Sequence, residues 1–349
     1  LNATDPVLRE VAATALGRYG ELDDDLVTQL RTLSADGDKR VRAAALLAVA
    51  RSDSDSDAVT KLLLASLQDP EPEVRRSSIA GLASLNSEAT DVIAGFIDGL
   101  DDTDSTVRRD SAIAIAEIGE AARRSSGRLM ELLGDDDGSV RAAAASALGV
   151  TARHTPELVS ALGVTLSDSE DAVLLASLNS LAKIGSKAGG QSDDVIELLD
   201  HPRADLRAAA LTCLAKIESN PEKSVPLLSR ALADDEWAVR RDAAAALGEM
   251  GSDAKDAVPA LFKLLPIEDD SNFAKDALRS INTAGPNAVP VLLEGLESND
   301  RRQQYYSLYM LGKVRPKAKE ALPLLKRLLA ETDSGRMKQS YQRAIDEIE

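Results

Sequence analysis

The sequence lacks most of the residues from which catalytic and cofactor sites are commonly built. Its 349 residues include one cysteine, Cys213, and two histidines, His154 and His201. A single cysteine excludes an intramolecular disulfide framework and a zinc site made of cysteines. The two histidines are not spaced as a ligand pair, and no nucleophile stands beside a base in the local sequence. We therefore expect no enzymatic activity, no metal and no cofactor.

Aromatic residues are also scarce, at 3% of the chain, whereas apolar residues make up 44%. The core must therefore consist of Ala, Leu, Val and Ile, which allow helices to pack closely. No apolar run is long enough to cross a bilayer as a helix. Cys213 occupies a position that holds small residues elsewhere in the chain, so we expect it to be a buried packing residue rather than a redox or chromophore site.

Positive charge is in short supply, and the formal net charge is −17. Residues 1–299 hold 30 Lys and Arg against 51 Asp and Glu, whereas residues 300–349 hold 11 against 7. An acidic body disfavours binding to nucleic acid, which requires a basic footprint. It favours solubility or a basic protein partner. A salt-adapted source would produce the same composition.

What the sequence does contain is a fixed period. In the stretch 104–119, small or apolar residues follow Val107 by four, seven, eight and eleven positions, and Arg108 comes directly after it. A constant period of this length indicates stacked helical repeats that share one core. The apolar anchor recurs every 33 residues, at Leu8, Val41, Val74, Val107, Val140, Val173, Leu206 and Val239, with weaker copies at Phe273, Gln303 and Met337.

Each repeat is predicted to be two helices, A with the motif and B after it. The predicted fold class is all-α, an αα-superhelix of about ten helix pairs. We expect one solenoid over residues 1–349, with regular repeats over 1–265, irregular repeats over 266–329 and a terminal helix over 330–349. Leu1 lies seven residues before the anchor Leu8, the offset at which helices B of later repeats end in leucine. This position suggests a fragment of a longer chain.

The repeat can now be compared with known families. The pattern Leu-x-Asp-x-Asp-x-x-Val-Arg-x-x-Ala-x-x-Ala-Leu-Gly, then Gly-x-x-Ala-x-x-Ala-Val-Pro-x-Leu, is clearest between Asp234 and Leu265. It resembles HEAT repeats, and more closely the HEAT-like repeats named after phycobilisome lyases. The resemblance covers essentially the whole chain and implies a right-handed superhelix. Members of this class serve as adaptors, scaffolds, accessory domains of enzymes and, in a minority, chromophore lyases.

An arginine follows most anchors, and an acidic residue lies five positions before the next anchor, which is 27 positions after the arginine in the regular repeats. Where the arginine is missing, the acid is missing too, and co-varying positions imply contact. We predict that the arginine of one repeat bonds the acid of the next, as an inter-repeat link; phosphate or acidic-peptide binding is the alternative. The predicted pairs are Arg9/Asp36, Arg42/Asp69, Arg75/Asp102, Arg108/Asp135, Arg141/Asp168, Arg207/Asp234 and Arg240/Glu268.

Three sets of residues are candidates for binding a partner. One is a column on helix B that varies in charge, at Ala65, Asp98, Glu131, Val164, Glu197, Arg230, Lys263 and Glu294. It is either a specificity surface or merely a solvated face. The second is Trp237, a binding hot spot or a packing residue at a helix start. The third set, Arg301, Arg302, Tyr305, Tyr306 and Tyr309, is a docking surface for an acidic partner or for another copy, or else a modified terminal cap.

These observations favour a non-catalytic scaffold that binds a protein partner, or positions a fused domain, on the concave face lined by helix B. Two alternatives remain at this stage: a chromophore- or ligand-handling protein of the lyase type, and a passive spacer within a larger enzyme. The sequence does not name the partner or the oligomeric state.

Overall fold

A computed structural model describes residues 1–19, 22–52, 56–151, 154–314 and 317–349. In these residues all regular structure is helical and no β-strand occurs, which confirms the predicted class. The chain divides into two compact units, Leu1–Ile184 and Gly185–Glu349. The organisation of all 349 residues as one solenoid stays a prediction.

Helices are numbered along the chain, so that odd numbers are helices A and even numbers are helices B. The first unit contains α1 (Pro6–Tyr19), α2 (Asp24–Leu33), α3 (Lys39–Arg51), α4 (Ser56–Ser66), α5 (Pro72–Ser84), α6 (Thr90–Gly99), α7 (Ser105–Ile118), α8 (Ser126–Glu131), α9 (Gly138–Thr151), α10 (Pro156–Val164) and α11 (Asp171–Ile184). The second contains α12 (Ser192–Glu197), α13 (Ala204–Ile217), α14 (Pro221–Ala231), α15 (Trp237–Glu249), α16 (Val258–Leu264), α17 (Ser271–Ile281), α18 (Val289–Leu296), α19 (Arg301–Leu311), α20 (Leu322–Glu331) and α21 (Gly335–Ile348).

The turn from helix A to helix B is often a short 3₁₀ helix, as at Gly119–Ser125 and Gly251–Ala257. Gly119 and Gly251 have positive φ angles of 70° and 56°, a conformation that a side chain disfavours, and they end α7 and α15. Helix α14 begins before its apolar-Pro pair, at Pro221, because the side chain of Asn220 caps it there. Pro226 therefore lies inside α14 rather than in its first turn.

The anchors form the core between successive helices A. In the first unit α1, α3, α5, α7, α9 and α11 pack in sequence, and in the second α13, α15 and α17 do. The seven anchors from Val41 to Val239 are at most 2% exposed, whereas Leu8 is 58% exposed. Each buried valine or leucine contributes roughly 1.5–3 kcal/mol to folding. This column of apolar contacts is therefore the main source of stability.

Helix B closes onto helix A through small residues twelve positions apart. A Cβ on Gly99 would lie 2.2 Å from Ser111 Oγ, and a Cβ on Gly295 would lie 2.3 Å from Ser307 Oγ. At the equivalent place in another repeat, the hydroxyls of Thr165 and Ser177 are 2.6 Å apart. Where helix A carries a serine four residues after the anchor, helix B thus provides a small partner.

A ladder of ion pairs joins adjacent repeats at the start of each helix A. Six of the seven expected pairs are present, each with guanidinium Nε and Nη2 donating to the two carboxylate oxygens at 2.7–2.9 Å. The side chains are largely buried, at 12–18% exposure for the arginines and 7–15% for the aspartates. The six are Arg9–Asp36, Arg42–Asp69, Arg75–Asp102, Arg108–Asp135, Arg141–Asp168 and Arg207–Asp234.

Each of these arginines also binds its own repeat. Its Nη1 donates to the carbonyl six residues earlier at 2.8–2.9 Å, as Arg108 does to Asp102. Each ladder aspartate in turn accepts the backbone N–H two residues on at 2.9–3.0 Å. The guanidinium is thus occupied by protein groups on every side, which supports the inter-repeat link over phosphate binding.

The expected pair of Arg240 with Glu268 is wrong. Arg240 donates to both carboxylate oxygens of Asp270, at 2.7 and 3.0 Å, and Glu268 is exposed. Apart from Ser271, the buried residues of α17 lie four, seven, eight and eleven positions after Asp270, so Asp270, not Phe273, occupies the anchor position. The step from Val239 to Asp270 is 31 residues instead of 33, and the carboxylate at the anchor is fully buried. A buried carboxylate requires a partner, which Arg240 provides.

We expect Arg108→Leu to lower the free energy of unfolding by about 2 kcal/mol, because it leaves the Asp135 carboxylate largely buried without its cation. Leucine already stands at this position in one repeat, at Leu174. Urea unfolding followed by circular dichroism measures the change. The double variant with Asp135→Ala should cost less than the sum of the single changes.

Lys39→Met is the matched control for that experiment. It removes another inter-repeat ion pair, Lys39 with Glu71 at 2.9 Å, but these side chains are 49% and 40% exposed. Exposed pairs contribute little, so the urea midpoint should hardly move. An equal loss in the Lys39 and Arg108 variants would show that the ladder contributes no more than a surface ion pair.

The ladder also predicts how stability depends on pH. Hydrogen bonds from their arginines hold the pKa of Asp36, Asp168 and Asp234 below the usual value. A lowered pKa stabilises the folded chain above the unfolded value of about 3.9, and this contribution is lost as pH falls through the folded pKa. Thermal midpoints should therefore drop below about pH 4. In Arg141→Leu, which removes the partner of Asp168, the drop should be shallower; an unchanged drop would contradict this assignment.

Candidate functional site

One position of helix B is exposed in repeat after repeat. It lies two residues before the leucine that ends the helix, and leucines such as Leu100 and Leu265 are fully buried. Two residues correspond to about 200° around a helix axis, so the side chain must point away from the core. All eight members are exposed: Ala65, Asp98, Glu131 and Val164 in the first unit, and Glu197, Arg230, Lys263 and Glu294 in the second. We call this set the helix-B column.

Some members of the column make polar contacts across repeats. Arg230 donates to Asp200 at 3.0 Å, and Glu131 pairs with Arg128, which also pairs with Asp101. Within the described ranges, Asp98 and Glu197 have no ion pair. The column thus presents free carboxylates beside neutralised ones.

A groove of about 540 Å³ opens beside the column in the first unit, between α4 and α6. Its apolar wall is formed by Leu64 of α4, by Leu67 directly after that helix and by Ile79 of α5. The acidic side chains along it are Asp69, Asp91, Asp98, Asp101 and Asp102, with Arg75 as the single cation. We call this the α4–α6 groove.

A second depression, of about 610 Å³, lies on the side of α6 that faces the next repeat. Ile93, Ile97 and Ile118 line it, together with exposed Arg123 and Arg124. Glu88 and Glu120 also line this depression, so α6 stands between an acidic groove and one in which acidic and basic residues are balanced.

Trp237 packs on the next repeat. Its Nε1 donates to the carbonyl of Asp269 at 3.3 Å, and its ring meets the edge of Phe273 with centroids 6.1 Å apart. The guanidinium of Arg241 lies 5.1 Å from the indole centroid. These contacts support the packing interpretation. The side chain is nevertheless 43% exposed, and its role as a hot spot stays a prediction.

The candidate set in α19 divides into two groups. Arg301 and Tyr305 are exposed. Tyr306 is buried, and burial raises its pKa, so its inclusion in a docking surface is wrong. Its ring packs edge-on against Tyr305 and Tyr309, with the Arg279 guanidinium 5.9 Å from its centroid. Tyr309 donates to Asn282 at 2.7 Å, and Arg302 pairs with Asp300 at 2.7 Å. Arg302 and Tyr309 therefore have structural partners.

The sequence pattern that defines HEAT repeats matches residues 60–149, 126–191 and 192–282, which is more than half of the chain. The chain belongs to the HEAT-repeat family. A search of curated proteins finds no match.

Solved structures share the HEAT-repeat fold at low sequence identity. A chain of a homology model of the AP-3 complex in an intermediate open conformation has a TM-score of 0.64 at 14% identity, over 97% of this chain and 71% of that one. Importin beta has a TM-score of 0.57 at 16% identity, over 98% and 57%. The CpcE–CpcF complex of phycocyanin lyase from Nostoc sp. PCC7120 has a TM-score of 0.44 at 22% identity, over 72% and 93%.

The described residues of these HEAT repeats form neither a metal site nor a membrane span, and their single thiol is buried. Cys213 is fully buried, and burial raises the pKa of its thiol to about 12. In the part of the chain that the structure describes, no three His, Cys, Asp or Glu side chains are grouped to hold a metal ion. The helices of that part are also too short or too polar to span a membrane.

We expect Cys213 to resist modification in the folded chain, because only the thiolate attacks disulfide reagents. Its reaction with dithionitrobenzoate should be at least about a hundredfold slower in buffer than in denaturant. Absorbance of the released thionitrobenzoate measures both rates in one preparation. Equal rates would show that the helices around Cys213 separate readily and expose its thiol, and would contradict a role in packing alone.

Proposed function

We propose that this HEAT-repeat chain is a non-catalytic scaffold that binds a protein partner along its helix-B column. The observation that carries the proposal is the column itself. Every member is exposed, and its chemistry changes from repeat to repeat, between Ala, Val, Asp, Glu, Arg and Lys. A surface that repeats in position and varies in chemistry is suited to reading a partner through distributed contacts.

Packing does not explain these side chains. Core positions of the repeats keep one chemical type because neighbours enclose them, but the column points to solvent. Exposed charges contribute at most about 1 kcal/mol each to stability. The fold therefore permits any polar residue at these places, so the column can be adapted to a partner without loss of stability.

The fold supports a scaffold and does not specify its partner. The similar structures include a chain of an adaptor complex and importin beta, and HEAT-type solenoids present extended binding surfaces in general. The absence of a catalytic role is part of the proposal. It is supported by a single buried thiol and by two histidines 47 residues apart in the sequence.

Charge favours a basic protein segment over nucleic acid as the partner. The first unit, residues 1–184, holds 18 Lys and Arg against 31 Asp and Glu, a net charge of −13. Phosphate backbones would be repelled, whereas cationic peptide segments would be attracted, more strongly at low salt.

The test is an affinity pull-down from source lysate at low and physiological salt. The parent chain is compared with a variant in which Asp98, Glu131 and Glu197 are changed to lysine. We expect at least one protein that the parent retains and the variant loses, because three attractive contacts become repulsive.

A matched variant reverses three exposed acids outside the column, Glu117, Glu249 and Asp253, and has the same net charge. Retention by this control isolates the column from overall charge. Equal loss in both variants would reduce the effect to net charge. Retention of no protein by the parent at either salt would support a passive spacer instead.

A further inference from the structure

The α4–α6 groove combines an apolar wall with an acidic edge. Leu64 and Leu67 are half-buried on one side, above fully packed Ile79. On the other side α6 presents Asp91 and Asp98, which are exposed and have no ion pair within the described residues. Its volume of about 540 Å³ lies in the range of roughly 300–1,000 Å³ that is typical of ligand sites.

The two carboxylates lie on the same stripe of α6. They are seven residues apart, which places them two turns and about 10.5 Å from each other along one helical face. Between them on that stripe stand Ala94 and Gly95, and the side chains of Leu64 and Leu67 pack over Gly95. The two negative charges therefore flank the apolar wall.

Gly95 packs closely against the apolar wall of the groove. A Cβ on Gly95 would lie 2.7 Å from Leu67 Cδ1 and 3.2 Å from Leu64 Cδ2, so a side chain there would require these leucine ends to shift. At Gly99 the position of a Cβ is taken by the Ser111 hydroxyl, which is fully buried and has no hydrogen-bond partner among the described residues. An unpaired polar group thus lies directly beneath the groove.

Backbone dipoles add to the negative potential near Asp98, whereas Asp91 lies in the first turn of α6, at the positive end of that helix dipole. Helix α4 ends at Ser66 and α6 ends at Gly99, and the residues around both ends line the groove. The C-terminus of a helix carries about half a negative charge on its free carbonyl groups, which favours cations. Among the groove's other acids, Asp69 and Asp102 are neutralised by Arg42 and Arg75, and Asp101 pairs with Arg128. Asp91 and Asp98 therefore remain for a ligand.

We propose that the α4–α6 groove binds two lysine or arginine side chains of an extended segment in a protein partner. The alkyl stems lie against Leu64 and Leu67, and the cations reach Asp91 and Asp98. A polyproline II segment places residues i and i+3 on one side, about 9.3 Å apart, which matches the two carboxylates. This inference rests on the proposed function and specifies the chemistry of the partner.

The test uses fluorescein-labelled proline-rich dodecapeptides with two lysines three positions apart, measured by fluorescence anisotropy. The parent chain should bind this peptide and should not bind the same peptide with acetylated lysines. In the double variant Asp91→Asn/Asp98→Asn, affinity should fall by about tenfold or more, because two charge-assisted contacts are lost.

A double variant Glu117→Gln/Glu249→Gln removes the same charge at two exposed positions outside the groove and should bind within about twofold of the parent. Methyl NMR gives an independent readout, because the signals of Leu64, Leu67 and Ile79 should shift when the peptide is added. Equal losses in the two double variants, or peptide binding without shifts at these methyl groups, would overturn the groove as the site.

The same experiment separates this inference from the proposed function. A parent chain that binds no lysine peptide but still retains a column-dependent protein in the pull-down would overturn the groove and leave the scaffold intact. A parent chain that does neither would overturn both.

Discussion

No helix pair in this chain can bury its apolar face alone, and the rest of the structure depends on that constraint. Each anchor from Val41 to Val239 is covered by the neighbouring helices A, so the contacts recur only if every repeat has the same length. The 33-residue period in the sequence follows from this requirement for equal repeat lengths. The ladder has the same origin, because Arg and Asp 27 residues apart meet only when successive helices A are stacked in register.

The place where the period fails shows how strictly the stack is enforced. From Val239 to the next buried anchor the step is shortened, and Asp270 occupies a position that holds Val or Leu in the regular repeats. A buried carboxylate without a cation would be severely destabilising, yet the arginine of the preceding repeat stands within reach. Arg240 thus bonds Asp270 in place of the regular ladder position, and α17 remains packed on α15 although the repeat is shorter.

The same stacking separates stability from recognition. Helices A and the inner side of helices B are committed to the core, whereas the outward position of helix B is free to vary. Gly95 and Gly99 of α6 line the α4–α6 groove, and their lack of a side chain allows Leu67 and Ser111 to approach α6 closely. The proposed binding groove therefore lies where small residues meet a packing requirement, with charge supplied by exposed residues that the fold does not use.

The sequence by itself determined the helical repeat, the seven buried anchors from Val41 to Val239, six ladder pairs and the outward direction of the helix-B column. These depend on spacings that are equal in every repeat, so a linear pattern is enough to predict them. Only the tertiary structure decided that Arg240 pairs with Asp270, that Tyr306 is buried while Tyr305 is exposed, and that Trp237 packs on Phe273. It alone revealed the groove. Each of these depends on loop length or on the face that a neighbouring helix covers. A periodic sequence pattern contains no information about either.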